Sequence, residues 1–368
     1  MTDFNDLAIT YEKQLSVLGW NAHWRAQLAS LDRGHALAKQ SIVARVIGVE
    51  RTGLNIAPQG SLFSSHVPVS GRWFRGDEET RPTIGDWVIV EAQTGALLEM
   101  LPRQSLIKRV NPLGALQLIA ANVDVAFILT SCNADFSLER LERYLSVVME
   151  AQIIPVLVLT KTDLTEHTAD FVGQLTERFA DIPCVPINAL DPAETLALKP
   201  WCGTGQTIAL LGSSGVGKST LVNSLLGTQV QHTAAIREED GKGRHTTTNR
   251  TLHLLPSGGV ILDSPGMREL QLAEAEEGLE ELFADVENLA ASCRFNDCSH
   301  GAEPGCAVVK ALQRGDLQQE RLQSYQLLRK EETRNRESLA ARDARDRAFG
   351  KKLRAETRTK YRNMDSDP

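Results

Sequence analysis

The chain has 368 residues, 42% of them hydrophobic, and a formal net charge of −7, so we expect two or three domains with a large apolar core. No apolar run reaches the roughly 18 residues of a membrane span, and the first residues lack the basic and apolar segments of a signal peptide. The six cysteines form no dense disulfide framework, and we therefore expect a cytoplasmic protein with reduced thiols and no membrane partner.

The first part of the chain is predicted to hold an arm and a small β domain. Residues 1–38 are interpreted as a partly helical N-terminal arm. Short β-rich runs separated by glycines follow within residues 39–110, and this pattern predicts a small barrel. The runs are Ser41–Ile47, His66–Val69, Asp86–Glu91 and Ala96–Met100.

Residues 111–273 show a different pattern. Val123–Thr130 and Pro155–Thr160 are almost entirely apolar, as in strands that are buried on both faces. Strands that alternate with helices predict an α/β domain with a mostly parallel sheet. The other predicted strands are Cys184–Ile187, Thr207–Leu211, Leu252–Leu255 and Val260–Asp263, and the predicted helices are Leu138–Ala151, Ala169–Ala180 and Lys218–Leu226.

A phosphate-binding loop, GSSGVGKS, lies between a predicted strand and a predicted helix. Its glycines allow backbone N–H groups to point at phosphates, and the helix N-terminus adds positive potential. Lys218 is predicted to reach the β and γ phosphates, and Ser219 to hold Mg²⁺. The predicted nucleotide contacts here are Gly212, Ser213, Ser214, Gly215, Val216, Gly217, Lys218, Ser219 and Thr220.

The sequence TKTD, Thr160-Lys161-Thr162-Asp163, is predicted to bind guanine. The Asp163 carboxylate can accept hydrogen bonds from the ring N–H and the exocyclic amine of guanine, which adenine does not present as a pair. The usual first residue is Asn, so Thr160 must replace an amide with a shorter hydroxyl. Asn188 and Ala189, after the next strand, are predicted to contact the base oxygen.

Asp263-Ser264-Pro265-Gly266 has the D-x-x-G spacing of a loop that senses the γ-phosphate. Asp263 is predicted to bind Mg²⁺ through water, and Gly266 to contact the γ-phosphate. The following residue, Met267, cannot orient a water molecule. We therefore predict that His245, in the glycine-rich stretch before it, is the catalytic group, with the alternative of a solvated loop histidine. Thr247 of the same stretch is the predicted second Mg²⁺ ligand.

The order of these motifs is the most specific feature of the sequence. The guanine motif precedes the phosphate loop, whereas most GTP-binding domains have the reverse order. This order predicts a circularly permuted GTPase.

Residues 274–368 are predicted to form a zinc-binding and mainly helical region with a basic tail. Three cysteines and one histidine suit a closed, tetrahedral structural zinc site, and disulfides or unrelated thiols are the alternative. The predicted ligands are Cys293, Cys298, His300 and Cys306. Cys132, Cys184 and Cys202 are predicted to be packing residues.

Together, the motif order, the DSPG sequence, the GKGRHTTT stretch and the cysteine cluster resemble the bacterial ribosome-small-subunit-dependent GTPase A family. The resemblance covers about residues 40–310. It implies an OB-type barrel, a circularly permuted GTPase domain and a C-terminal zinc domain. It also implies GTP hydrolysis that is stimulated by the 30S subunit, late in the maturation of that subunit.

Basic and aromatic residues in the barrel region agree with the implied contact with 16S rRNA, because OB barrels bind nucleic acid through such groups. They are Arg45, Arg51, His66, Arg72, Trp73, Phe74, Arg75, Arg81 and Trp87, of which Trp87 is interpreted as a core residue. The basic stretch 329–362 either contacts rRNA as a helix or is a solvated end. A regulatory GTP-binding switch with a protein partner is the alternative function, whereas Asp163 disfavours a metabolic kinase. We expect a monomer.

Overall fold

The computed structural model describes residues 15–32, 41–50, 52–58, 65–69, 71–74, 77–111, 114–227, 251–263, 272–301 and 303–364. Within these ranges, no helix combines the length and apolar character that crossing a bilayer requires. The fold comprises an antiparallel sheet, a mostly parallel sheet and a C-terminal helical region.

The first sheet is antiparallel and curled, with the strand order β3-β2-β1-β4-β5. Its strands are β1 Ser41–Val49, β2 Gly53–Pro58, β3 Ser65–Pro68, β4 Trp87–Glu91 and β5 Leu97–Met100. The predicted short strands are present, and β2 is an additional one. The inward side chains of β1, β2 and β4 form an apolar cluster against which the half-buried Trp73 packs.

The N-terminal segment packs closely against this sheet. Helix α1, Ala22–Asp32, follows a turn that begins at Leu15. The ring of Trp20 meets that of Trp87 edge-on at 4.9 Å between centroids, and Trp24 lies 6.2 Å from Trp87. Trp87 is fully buried, as predicted for a core residue. Residues 15–32 therefore complete the core beneath β4.

A hairpin, β6 Leu106–Val110 and β7 Leu116–Ala121, leads from the first sheet to the second. The second sheet has the order β10-β9-β8-β11-β13-β12, and only β12 is antiparallel to its neighbour. Its strands are β8 Val125–Ser131, β9 Ile154–Thr160, β10 Cys184–Pro186, β11 Thr207–Leu211, β12 Thr251–Leu254 and β13 Val260–Asp263. Its helices are α2 Leu138–Glu150, α3 Thr168–Arg178, α4 Pro192–Thr195 and α5 Lys218–Leu226.

The parallel strands have apolar side chains on both faces, and these form two core clusters. Both faces are buried because helices cover the sheet on either side. The carboxyl ends of β8, β9, β11 and β13 lie at one edge, which is where loops in such sheets bind ligands.

The C-terminal region is helical: α6 Glu276–Leu282, α7 Ala284–Ala290, α8 Ala307–Arg314 and α9 Gln319–Met364. Helix α6 packs against α2 so closely that a Cβ added at Gly278 would lie 2.0 Å from the Ser146 carbonyl oxygen. The basic stretch predicted as a tail belongs to α9, a single helix of 46 residues.

Arg45 connects the N-terminal segment, the first sheet and the second sheet. We predicted that it contacts RNA, and this is wrong, because the side chain is only 1% exposed. Its guanidinium donates to the carbonyls of Leu18, Gly85 and Asn122 and, at 2.9 Å, to the hydroxyl of Thr207. Burial lowers the pKa of Arg45 to about 10, so the side chain is charged at neutral pH. We call this contact the arginine junction.

A second buried charge connects the parallel sheet region to the C-terminal helices. Glu142 on α2 is 0% exposed, and its Oε1 accepts from Arg178 at 2.8 Å and from Arg321 at 2.9 Å. Arg321 on α9 also binds Asp285 and lies 4.1 Å from the centre of the Phe283 ring. We call this contact the carboxylate junction.

Candidate active site and metal centre

The predicted phosphate loop lies between β11 and α5, at the carboxyl edge of the parallel sheet. Gly212 has a φ of +146°, and a Cβ at this position would lie 2.7 Å from the carbonyl oxygen of Leu129 on the neighbouring strand β8. Gly217, with a φ of +108°, begins α5. Both glycines are therefore required by the backbone path, as the sequence pattern indicated.

Lys218 extends over this loop from the first residue of α5. Its Nζ donates to the carbonyl oxygens of Gly212 at 2.6 Å and Ser213 at 2.5 Å. The ammonium group is thus held at the concave side of a turn that is rich in backbone N–H groups. This arrangement suits a polyphosphate, because the turn, the helix N-terminus and the lysine all present positive potential.

Thr160 joins the predicted guanine loop to the phosphate loop. It is the last residue of β9, and its hydroxyl donates to the carbonyl oxygen of Val216 at 2.6 Å. Its side chain also lies beside Gly217, since a Cβ there would be 3.6 Å from Thr160 Oγ1. The Thr160 hydroxyl, although shorter than the usual Asn amide, thus links the two loops directly. Thr160 and Val216 are 56 residues apart in the chain.

The rest of the guanine loop follows Thr160 in a tight turn. Lys161 has a φ of +60°, and Thr162 to Leu164 form one turn of 3-10 helix that contains Asp163. The left-handed residue reverses the chain immediately after the strand, so Asp163 is presented at the same edge as the phosphate loop.

Asn188 and Ala189 lie just after β10, and they contact both the turn that follows and helix α5. The Asn188 side chain accepts from the backbone N–H of Leu190 at 2.9 Å, and Ser224 of α5 donates to the carbonyl oxygen of Ala189 at 2.5 Å. The loop is thereby attached to the helix that begins at the phosphate loop. We did not predict this role of Ser224, and its spacing in the sequence gives no signal for it.

Asp135 is a second residue that we did not predict at this edge. Its carboxylate accepts hydrogen bonds from the Ser213 hydroxyl and, at 2.8 Å, from Arg140. Burial raises its pKa, but these hydrogen bonds and the charges of Arg140 and Lys161 outweigh burial and hold the pKa below the usual value. Its position four residues after a buried strand was the available signal.

The predicted switch residues are described only in part. The backbone of Asp263 ends β13 beside β11, at the edge that holds the phosphate loop. Gly266, the predicted catalytic residue His245 and the predicted Mg²⁺ ligand Thr247 lie outside the described residues.

The cysteine cluster brings its four predicted members together between α7 and α8. One ligand atom from each of Cys293, Cys298, His300 and Cys306 lies within 4.8 Å of all the others. The Sγ atoms of Cys293 and Cys306 are 3.8 Å apart, and each lies 3.7 Å from His300 Nδ1.

These spacings fit a tetrahedral zinc ion. Bonds of about 2.3 Å to sulfur and about 2.0 Å to nitrogen place two sulfurs about 3.8 Å apart, and sulfur and nitrogen about 3.5 Å apart. Backbone N–H groups at the start of α8 donate to Cys293 Sγ at 3.3 Å and Cys306 Sγ at 3.4 Å, which favours thiolates. The cluster is therefore compatible with a closed structural zinc site.

The other three cysteines pack in the apolar interior. Cys132 and Cys202 are buried, and burial raises the pKa of Cys202 to about 12. Burial likewise raises the pKa of Cys184 to about 11. These thiols are neutral packing residues, as predicted.

Comparison with known proteins agrees with this geometry. The family model described as RsgA GTPase matches residues 100–273. The small ribosomal subunit biogenesis GTPase RsgA 2 of Vibrio parahaemolyticus is 44% identical over 95% of this chain and 95% of that protein. The chain belongs to the RsgA GTPase family. As a member, it is a GTP-hydrolysing enzyme, and the family implies Mg²⁺ together with GTP.

Further relatives also cover most of the chain. The small ribosomal subunit biogenesis GTPase RsgA of Xanthomonas axonopodis pv. citri is 44% identical, over 90% of this chain and 92% of that protein. Among solved structures, YloQ, described as a circularly permuted GTPase, superposes with a TM-score of 0.55 at 25% identity, over 79% of this chain and 94% of that one. YjeQ from Thermotoga maritima has a TM-score of 0.58 at 23% identity, over 77% of this chain and 96% of that one. The permuted GTPase fold predicted from the motif order is confirmed.

Proposed function

We propose that the chain hydrolyses GTP during late maturation of the 30S ribosomal subunit, that it binds 16S rRNA, and that the subunit stimulates its hydrolysis. The observation that supports this most strongly is the similarity, over nearly the whole chain, to proteins named small ribosomal subunit biogenesis GTPases. The hydrogen bond from Thr160 to Val216 supports it independently, because a base loop and a phosphate loop held together suit one nucleotide.

The proposed nucleotide contacts are those predicted from the sequence. Asp163 selects guanine, Asn188 and Ala189 contact the base, and residues 212–220 bind the phosphates. Ser219 and Thr247 bind Mg²⁺, Asp263 reaches it through water, and Gly266 contacts the γ-phosphate. The four-residue cysteine and histidine cluster holds one structural zinc ion, and we propose that the protein acts as a cytoplasmic monomer.

The proposed division of the chain follows the two larger sheets, and its boundary at 110/111 falls within the β6–β7 hairpin. Residues 39–110 contain the antiparallel sheet, and residues 111–273 contain the parallel one. Residues 274–368 contain the cysteine cluster and α9. We still assign residues 1–38 to an N-terminal arm, and residues 15–32 of this arm pack on the first sheet.

Turnover of GTP with and without purified 30S subunits, over a salt series, tests the ribosomal role. We expect slow basal turnover and strong stimulation that weakens between about 50 mM and about 200 mM salt, because phosphate contacts release counterions. Lys218→Ala, which lacks the predicted phosphate-binding lysine, gives the background rate of GTP turnover. If 30S subunits leave turnover unchanged at every salt concentration, the ribosomal role is wrong and a GTP-dependent switch with a protein partner replaces it.

Catalysis by His245 has its own test. With 30S subunits and saturating protein, single turnover of GTP by His245→Ala is expected to slow by about 100-fold, which is the usual effect of losing a group that assists proton transfer or orients water. Binding of GDP by this variant should match that of the unchanged protein. Undiminished single turnover would contradict the assignment.

A further inference from the structure

Asp135 is placed beside the phosphate loop by a turn that the sequence builds locally. Strand β8 ends at Ser131, and the side chain of Asn133 then accepts from the Ser131 hydroxyl at 2.9 Å and from the Asp135 N–H at 3.0 Å. Strand β8 pairs with β11, whose carboxyl end leads directly into Gly212. The turn after β8 and the phosphate loop after β11 are therefore neighbours, although 78 residues separate Asp135 from Ser213.

The Asp135 carboxylate uses its two oxygens for two different elements. Oδ2 accepts from the hydroxyl of Ser213, the second residue of the phosphate loop. Oδ1 accepts from Arg140 Nη1 at 2.8 Å, and the same nitrogen lies 3.2 Å from the Asp135 carbonyl oxygen. Arg140 is in turn fixed in the first turn of α2, where its N–H donates to the N-cap residue Ser137.

The surrounding charges explain why a carboxylate is tolerated near a phosphate site. Arg140 forms an ion pair with Asp135, and the positive charge of Lys161 in the guanine loop also acts on it. The pair with Arg140 offsets the repulsion that an isolated carboxylate would exert on phosphates. What remains is a short-range hydrogen bond that fixes the conformation of the phosphate loop.

We propose that Asp135 is a positioning residue for the nucleotide, which holds the phosphate loop through Ser213. It acts by keeping the phosphate loop in its binding arrangement before the ligand arrives. This inference rests on the nucleotide contacts assigned under the proposed function. It adds a residue that none of the sequence motifs contains.

This role can be tested with a fluorescent GDP analogue, whose dissociation rate and Kd are both measured. The protein used is the full-length, zinc-loaded chain with Mg²⁺. We expect Asp135→Ala and Ser213→Ala each to raise the Kd by about tenfold, mainly through faster dissociation, as for the loss of one hydrogen bond to a charged group. The double variant should bind about as weakly as either single variant, because both remove the same bond. Asp135→Asn keeps an acceptor for Ser213 and should bind more tightly than Asp135→Ala.

Asp181→Ala is the matched control, since Asp181 is an exposed aspartate in the loop between α3 and β10. It should bind the GDP analogue as the unchanged protein does. The pKa of Asp135 lies below its usual value, so its carboxylate stays charged from about pH 6 to about pH 8. The ratio of the Kd of Asp135→Ala to the Kd of the unchanged protein should therefore stay constant over this range.

Two results would overturn the proposal. One is an Asp135→Ala protein that unfolds at a lower temperature but binds GDP within about twofold of the unchanged protein, as a purely structural role requires. The other is a double variant whose effect is the full sum of the single effects. These measurements need no ribosomal subunit, so their failure leaves the ribosomal role standing. If the unchanged protein does not bind GDP, the result contradicts the proposed nucleotide site itself, and not only the role of Asp135.

Discussion

The two junctions on either side of the parallel sheet both bury a charge, but they balance it in opposite ways. At the arginine junction, one guanidinium donates to neutral oxygens from three parts of the chain, and the negative charges of Asp124 and Asp86 also act on it. At the carboxylate junction, Glu142 is held between two guanidiniums. Removing the central residue therefore takes a partner from different groups: from carbonyl oxygens in the first case, and from two cations in the second, of which Arg321 keeps Asp285.

This difference predicts which junction is more sensitive to substitution. A buried carbonyl that loses one donor retains much of its environment, whereas a buried cation without a counter-charge is costly. The carboxylate junction should therefore be the more fragile of the two.

The largest expected effect is that of Glu142→Ala. It takes the shared buried carboxylate from Arg178 and Arg321, whose side chains are each 10% exposed, and leaves Arg321 with only the half-exposed Asp285 as a counter-charge. We expect the free energy of unfolding to fall by about 4 kcal/mol, measured by urea denaturation of the zinc-loaded protein. A loss below that of Arg45→Met would contradict the comparison.

Arg45→Met should have the next largest effect. The side chain keeps its apolar volume, but the carbonyls of Leu18, Gly85 and Asn122 lose a donor. We expect a loss of about 2 kcal/mol, less than for Glu142→Ala, because the hydrogen-bond partners left behind are neutral oxygens rather than buried cations. Equal or greater stability than the unchanged protein would show that the arginine is not needed to join the three segments.

Gly19→Ala perturbs the arginine junction without removing its charge. Gly19 has a φ of +97°, and an added Cβ would lie 2.9 Å from Arg45 Nη1 and 3.1 Å from the Gly205 carbonyl oxygen. We expect the left-handed backbone alone to lower the free energy of unfolding by about 1 kcal/mol, and the contact with Arg45 to add to this loss. Gly95→Ala is the matched control, because it has a φ of +69° with no atom near the added Cβ. An equal effect at both positions would show that contact with Arg45 adds nothing.

The smallest effect is expected for Asp285→Ala. Asp285 binds Arg321 at 3.0 Å, but its side chain is 50% exposed. Water screens such a pair, so we expect a loss of about 0.5 kcal/mol. A loss close to that of Glu142→Ala would mean that the exposed carboxylate, rather than the buried one, holds Arg321.

The sequence was informative where local patterns decide the structure. Strands β8 and β9 were predicted because burial on both faces requires continuous apolar residues. The cluster of three cysteines and one histidine was predicted because potential metal ligands lie within one short segment. The β6–β7 hairpin was not predicted, since Lys108 and Arg109 interrupt its apolar pattern. Whether a charged strand residue faces solvent or another segment depends on tertiary contacts.

Long-range contacts set the limit of what could be predicted at the site. The motif order predicted which loops would bind a nucleotide, but not that Thr160 would donate to Val216 or that Asp135 would accept from Ser213. Arg45 illustrates the same limit, because its four acceptors come from segments distant in the sequence. Residue type alone suggested an exposed RNA contact.

The permuted strand order also affects how the protein can fold as it is synthesised. Strands β8, β9 and β10, with the loops proposed to bind the base, leave the translating ribosome before the phosphate loop and β13 have been made. A ligand stabilises only the state that binds it, so guanine nucleotides cannot support the nascent sheet until the chain has been extended past Asp263. In a GTPase of the usual order, the phosphate-binding half would instead be present from the start.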